Sequence, residues 1–277
     1  MEFEALGTHW WIESADVSAH EADIHQVIDR VDRTWSRFRD DSLVASMAQT
    51  AARYPLDAAD IELMKWYQQL YNATDGLMTP LIGQTLSDAG YDKDYSLQPV
   101  QKIQSTPGWD EIIEMDTDSI TLKKPRLLDV GAAGKGYAVD QVAELLDGDF
   151  CVDAGGDMMI GDKVRRIGLE DPRDPSKLIG VADISHASIC GSGIGRRAWQ
   201  GWHHVIDPKS ARPVDGILAT WAISDSAMHA DGLATALFFV PPEQLASLVP
   251  FQYCIMYNDG TVRATNSDSI TIFTEKN

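Results

Sequence analysis

Hydrophobic residues recur at helical spacing in the first third of the chain and alternate with polar residues in much of the rest. The first periodic run predicts a helix with one buried stripe, formed by Ile24, Val27, Ile28, Val31, Trp35 and Phe38. We expect Ser18 to cap the start of this helix. A second helix is predicted from about Ala58 to Tyr71, and it ends at NATDG, where Gly76 supplies a left-handed backbone.

The remaining pattern predicts mostly strands. EALGTHWWIES indicates a first strand, TDSITLKKPRLLDV a strand pair, and AVDQVAELL a helix. From Phe150 onward strands dominate, with helices only at SAMHADGLATALFFV and PPEQLASLV, and FQYCIMYNDGTVRAT is typical of a hairpin that turns near 258–260. Helices that cluster early and strands that follow favour an α+β fold of mainly antiparallel sheets with flanking helices over a doubly wound parallel sheet.

Charge and composition narrow the class of protein. The formal net charge of -19 opposes long-range attraction to nucleic acid or anionic lipid. Cys151, Cys190 and Cys254 are widely spaced, so we expect buried thiols rather than disulfides or a zinc site. No stretch has the length and apolarity of a membrane span, and the start lacks a signal peptide's basic region. A soluble cytoplasmic protein is expected, with a periplasmic or lipid-anchored one as the alternative if a signal was removed.

The segment LLDVGAAGKGYAVD, residues 127–140, concentrates glycine around one lysine. A Walker loop needs glycine five positions before its Gly-Lys pair and Ser or Thr after it, but this chain has Asp129 and Gly136 there. A dinucleotide motif that begins at Gly134 would need glycine where Val139 stands. On motif grounds the segment is therefore a tight glycine turn between a strand and a helix.

Two later segments carry candidate chemistry. Asp231 and Thr235 are four residues apart on a predicted helix and therefore share a face. Carboxylate and hydroxyl oxygens suit Mg²⁺ better than zinc, and glycine loops offer further carbonyls and amides. HHVIDP places His203 and His204 in a strand. The structural alternatives are a surface Asp–Thr pair and packed core histidines.

Nine segments, in order and spacing over nearly the whole chain, resemble the FAD:protein FMN transferases, called the ApbE family. They are ALGT, WSRFRDDS, TDGLMTPLIG, LLDVGAAGKGYAVD, VDAGGD, GLEDPRDP, CGSG, HHVIDPKSARPV and SAMHADGLATALF. The resemblance implies a single two-lobed domain over residues 1–277 with a T-fold-like architecture. It also implies a Mg²⁺-dependent enzyme that transfers FMN from its substrate FAD to a threonine hydroxyl of an acceptor flavoprotein and releases AMP.

The resemblance also implies roles for particular residues. His204 matches the histidine proposed to deprotonate the attacking threonine. Metal ligands are implied at Asp231, at Thr235 and, through its backbone carbonyl, at Ala132. The nucleotide site is implied at Leu6, Phe38, Leu77, Met78, Thr79, Asp129, Lys135 and Ile206.

Six positions depart from the family pattern. Leu6 replaces a usual Met, Thr79 an Asp, Asp153 an Asn, Ser210-Ala211 a Thr-Gly pair, and Ile194 an aromatic residue. An extra carboxylate at Asp153 would oppose FAD binding if it faced the phosphates. Two other functions stay open, namely hydrolysis of FAD to FMN and AMP, and binding of FAD without catalysis. Oligomeric state is left open as well, with a homo-oligomer among the alternatives.

Overall fold

The computed structural model describes residues 1–195 and 198–273. Within these ranges the α-helices are α1 Glu21–Trp35, α2 Leu43–Gln49, α3 Ala58–Ala73, α4 Gly83–Asp88, α5 Trp109–Ile112, α6 Gly134–Ala143, α7 Ala227–Ala236 and α8 Pro242–Leu245. The strands are β1 Glu2–Ala5, β2 Thr8–Ser14, β3 Arg53–Pro55, β4 Ile113–Met115, β5 Ser119–Leu122, β6 Phe150–Ala154, β7 Asp157–Ile160, β8 Arg165–Asp171, β9 Asp174–Ile184, β10 Ala187–Gly193, β11 Ala198–Trp199, β12 Trp202–His203, β13 Ile206–Asp207, β14 Arg212–Pro213, β15 Ile217–Ser224, β16 Gln252–Tyr257, β17 Val262–Ala264 and β18 Ile270–Ile272.

One eight-stranded sheet organises the fold, in the order β1-β2-β6-β7-β10-β15-β16-β17. Every strand pair in it is antiparallel. Helices α6 and α7 pack on one face, and the small sheet β18-β9-β8 shares an apolar cluster with the other. Alternate side chains serve the two faces, since Cys190 and Ala222 belong to the helix-side core while Ile189 and Ile223 belong to the second cluster. The α+β, mainly antiparallel prediction is confirmed.

Several local predictions hold. Ile24, Ile28, Val31 and Trp35 are buried along α1, as their spacing predicts. Helix α3 ends before Gly76, whose φ is +84°. All three cysteines are buried and free. Among the described residues, no helix is both long and apolar enough to cross a lipid bilayer.

Other local predictions are wrong. The first predicted strand is a hairpin of β1 and β2, because Leu6 and Gly7 both have positive φ and reverse the chain. Ser18 does not cap α1, since it lies in a short 3₁₀ turn and the helix begins at Glu21. Phe38 lies beyond the end of α1.

The sequence TDSITLKKPRLLDV contributes only β5, which pairs with β3 and β4, and residues 123–133 run on as an irregular segment toward α6. The predicted strand pair there is therefore also wrong. The two-lobed domain over residues 1–277 stays a prediction.

Candidate functional site

A cavity of about 910 Å³ opens beside the helix-covered face of the main sheet. Its volume lies at the upper end of the range usual for small-molecule sites. The sequence-predicted site residues all line it, although they come from six separate segments of the chain. They are Leu6, Phe38, Leu77, Met78, Thr79, Asp129, Ala132, Lys135, His204, Ile206, Asp231 and Thr235.

The glycines of the 127–140 segment let α6 approach α7 closely. A Cβ on Gly136 would lie 2.1 Å from the Ala227 carbonyl oxygen, so only glycine fits at this crossing. The Gly136 amide instead donates a hydrogen bond of 3.0 Å to Asp231 Oδ2. The glycine-rich turn and the predicted metal-ligand helix are thereby joined directly.

Asp140, at the far end of the same segment, caps α7. Its carboxylate accepts hydrogen bonds from the backbone amides of Ala227 (2.7 Å) and Met228 (2.9 Å), and from the Ser226 hydroxyl (2.6 Å). Burial is the main cause that raises the pKa of the Asp140 carboxyl. Because α7 carries Asp231 and Thr235, this cap fixes the rotation of the helix that presents both side chains to the cavity.

Lys135 links two acidic side chains at the polar end of the cavity. Its ammonium forms an ion pair with Asp157 and lies 3.8 Å from Asp231 Oδ1. Asp157 is 1% exposed, and its Oδ1 has no hydrogen-bond partner among the described residues. A buried carboxylate oxygen without a partner is costly, and a nearby cation lowers that cost.

The donor set fits a hard cation. Among the described residues, no cluster of three or more His, Cys, Asp or Glu side chains could hold a metal. A metal at this end would therefore rely on mixed oxygen donors, which is what Asp231, the Thr235 hydroxyl and the Ala132 carbonyl provide. The lysine that already sits between two carboxylates shows that this corner attracts positive charge.

The turn before α6 sets the position of Ala132. The Gly131 amide donates to Asp129 Oδ1 at 2.7 Å, and the Asp129 amide donates to the Pro80 carbonyl at 2.8 Å. The second bond ties this turn to the segment that contains Leu77, Met78 and Thr79. Two predicted parts of the nucleotide site, about fifty residues apart, are thus joined through backbone.

The two adjacent histidines have different environments. His203 is buried, its Nε2 pairs with the Val214 carbonyl at 2.9 Å, and burial lowers its pKa. His204 is half-buried and lines the cavity. The packed-histidine alternative therefore describes His203, whereas His204 is the histidine placed to meet a ligand.

Aromatic rings form another part of the cavity lining. Phe38 stacks on Tyr95 with 5.3 Å between ring centroids and an interplanar angle of 8°. Tyr91 stacks on Trp199 at 5.8 Å, and Ile206 packs in the same cluster. The cavity lining therefore combines aromatic rings with charged side chains.

Sequence reasoning missed several lining residues, among them Arg37, Tyr91, Tyr95, Ser192 and Trp199. Arg37 lies within WSRFRDDS, one of the segments that resemble the family. A positive charge there, in an acidic chain, could have indicated a residue of the site. Tyr91 and Tyr95 follow α4 in a segment without helix or strand. No periodic pattern in the sequence predicts where their side chains lie.

The departure at Asp153 does not place a carboxylate in the cavity. Asp153 is absent from the lining residues, and its Oδ1 accepts a hydrogen bond of 2.8 Å from the Gly156 amide. Thr79 does line the cavity, where its hydroxyl accepts a bond from the Leu81 amide.

An α+β fold with one large cavity lined by both charged side chains and aromatic rings is typical of a small-molecule-binding protein. Comparison with known sequences gives the family. The model of the ApbE family matches residues 6–254, and the chain belongs to the ApbE family. The resemblance inferred from the sequence is confirmed.

Curated relatives and solved structures agree with this. The FAD:protein FMN transferase of Klebsiella pneumoniae (strain 342) is 24% identical over 289 residues, which cover 93% of this chain and 83% of the relative. That of Escherichia coli (strain K12) is 24% identical over 287 residues, with 90% and 80% covered. The ApbE protein of Thermotoga maritima has the same fold, with a TM-score of 0.82, 24% identity and 96% of each chain covered. The apo flavinyl transferase ApbE of Pseudomonas stutzeri gives a TM-score of 0.80 at 21% identity, with 96% of this chain and 94% of that one covered.

Proposed function

We propose that this protein transfers FMN from FAD to a threonine hydroxyl of an acceptor flavoprotein, with Mg²⁺ as cofactor and AMP as the second product. One observation carries the proposal: a single cavity gathers His204, the oxygen donors of Ala132, Asp231 and Thr235, and the residues that the family resemblance places around the nucleotide. The curated relatives that align over 93% and 90% of this chain are named FAD:protein FMN transferase, which supports the transfer of FMN from FAD to a protein.

The reaction is a substitution at phosphorus. The threonine oxygen forms a bond to the phosphorus of the FMN half, and the bond from that phosphorus to the bridging oxygen breaks. FMN becomes a phosphoester of the acceptor and AMP leaves with the bridging oxygen. His204 takes the proton from the threonine hydroxyl, a role that suits an imidazole near neutral pH and contributes roughly 10²–10⁴ in rate. No oxidation or reduction takes place.

The protein's own residues prepare this step. Asp231, Thr235 and the Ala132 carbonyl would hold Mg²⁺, which when bound neutralises charge on the pyrophosphate. Lys135 adds positive charge at the same end of the cavity, since it bridges toward Asp231. Apolar side chains of the cavity lining, among them Leu77, Met78 and Ile206, offer surface for a flat ring of the substrate. The acceptor must enter from the side that His204 lines.

The test is a transfer assay. Purified protein, FAD, Mg²⁺ and a candidate acceptor domain are incubated, and the acceptor is examined for flavin fluorescence after denaturing electrophoresis. A fluorescent acceptor band that disappears when its threonine is replaced supports the proposal. Release of FMN and AMP with no labelled acceptor would instead indicate hydrolysis, and intact FAD with every acceptor would indicate a binding protein.

Two variants sharpen the assay. Asp231→Ala is expected to weaken Mg²⁺-dependent FAD binding, and an unchanged Mg²⁺ dependence would remove Asp231 from the ligand set. A matched control is Asp147→Ala, because Asp147 is exposed and lies outside the cavity lining.

A further inference from the structure

Arg37 is a buried cation that has no role in the proposed transfer reaction. It follows the end of α1, its side chain is 2% exposed, and it lines the cavity. Its guanidinium carbon lies 4.2 Å from the centroid of the Phe38 ring and 4.8 Å from that of Tyr91. Two aromatic rings therefore hold the planar group in one orientation.

The guanidinium is bonded to a predicted nucleotide-site residue. Arg37 Nε donates to Asp129 Oδ2, while Asp129 Oδ1 accepts from the Gly131 amide at 2.7 Å. Both carboxylate oxygens are thus engaged, one by the arginine and one by the turn. The carboxylate cannot rotate without breaking one of the two contacts.

This pair reaches the predicted metal corner through backbone. Gly131 immediately precedes Ala132, whose carbonyl is the expected metal ligand. The turn is tight, because a Cβ on Gly131 would lie 2.9 Å from Asp129 Oδ1. A shift of the Asp129 carboxylate would therefore move the Gly131 amide and, with it, the direction of the Ala132 carbonyl.

Charge gives Arg37 a second reason to be present. Asp129 is only 13% exposed and lines a cavity that, under the proposed function, receives a pyrophosphate. Without a partner its carboxylate would repel that ligand. Arg37 neutralises it through the contact of its Nε with Asp129 Oδ2.

We propose that Arg37 is a positioning residue for the nucleotide site: it fixes Asp129, and through Asp129 the Gly131–Ala132 turn. This inference rests on the proposed function, because FAD is the ligand through which it is tested. It differs from the family-derived roles, which leave Arg37 without one.

The test measures FAD binding as a function of Mg²⁺ by titration calorimetry. Replacing groups that orient a metal ligand typically costs 10- to 100-fold in metal affinity or activity. Arg37→Gln should therefore raise the Kd for FAD about 10- to 100-fold and raise the half-saturating Mg²⁺ concentration. Arg37→Lys keeps the positive charge but loses the planar guanidinium. Its Kd for FAD should therefore lie between those of the wild type and Arg37→Gln. Arg33→Gln is the matched control, since Arg33 is 59% exposed and pairs with Asp29 on the surface.

A double variant separates positioning from folding. Arg37→Gln with Asp129→Asn removes the stranded charge, so thermal stability should return toward the wild-type value while FAD affinity and Mg²⁺ dependence stay impaired. Full recovery of FAD affinity in the double variant would overturn the inference, as would wild-type binding by a folded Arg37→Gln protein. Wild-type protein that binds no FAD at all would remove the proposed function itself, and this inference with it.

Discussion

The cap that Asp140 places on α7 is the contact on which the metal-ligand helix most directly depends. Three donors converge on this one carboxylate: the hydroxyl of Ser226 and the backbone amides of Ala227 and Met228. In Asp140→Ala all three lose their acceptor at a partly buried site, in which Ala227 is fully buried. The variant tests whether α6 truly holds α7 in place.

The structure sets the size of the effect. Each buried donor left without a partner costs about 1–3 kcal/mol. Since Ser226 can turn its hydroxyl elsewhere, we count the two amides and expect a loss of about 2–6 kcal/mol in the free energy of unfolding. That is a large part of the 5–15 kcal/mol typical of folded proteins.

The pH dependence follows from the sign of the pKa shift. Burial raises the pKa of Asp140 above its unfolded value, so the folded state holds this proton more tightly. The carboxyl therefore contributes most to stability at low pH, and its contribution falls as the pH rises through the folded pKa. The difference between wild type and Asp140→Ala should be no larger at pH 8 than at pH 5.

Urea unfolding followed by tryptophan fluorescence measures the change, with Asp147→Ala as the exposed control that should stay within about 0.5 kcal/mol. Mg²⁺-dependent FAD binding is measured in parallel on the folded fraction. An Asp140→Ala protein with wild-type stability and wild-type Mg²⁺ dependence would refute the coupling of α6 to α7.

Three further outcomes are expected. His204→Ala should slow flavin transfer roughly 10²- to 10⁴-fold with little change in FAD affinity, measured by initial rates and calorimetry, and equal losses in both would indicate a structural role. Gly136→Ala should destabilise the fold by about 3 kcal/mol, since its Cβ would collide with the Ala227 carbonyl. A urea midpoint equal to that of the wild type would contradict the close packing of α6 against α7 at Gly136. Burial lowers the pKa of His203 below 6.5, so its contribution to stability is complete above that value and is lost as the pH falls through the folded pKa. His203→Gln should therefore flatten the drop in unfolding free energy below pH 6.5, whereas the exposed His186→Gln should leave the drop unchanged.

Much of the fold could be predicted because local periodicity reports burial directly. The stripe at Ile24, Ile28, Val31 and Trp35 is buried because residues three and four apart share one face of a helix. Prediction failed where the backbone turns without a strong signal. Leu6 adopts a positive φ that leucine rarely takes, so a hairpin looked like one long strand.

The candidate site shows the same division. Helix spacing already paired Asp231 with Thr235, and the family resemblance added the other predicted site residues, which all line one cavity. The resemblance did not distinguish the environments of His203 and His204: both were predicted in a strand, but β12 ends at His203 and His204 lies in the bend that follows. Only the packing shows which of the two is buried. The resemblance also passed over Arg37, whose importance lies in a contact with Asp129, ninety-two residues later.

The sequence by itself determined the class of fold, the family and the oxygen-rich character of the predicted metal corner, since these depend on residue types in a fixed order. Only the tertiary structure decided that the glycines of 127–140 serve to bring α6 against α7, with Gly136 bonded to Asp231 and Asp140 capping the next helix. The tertiary structure also decided that His204 lines the cavity and that His203 is buried. These features depend on contacts between segments far apart in the chain, and such contacts leave no periodic pattern in either segment.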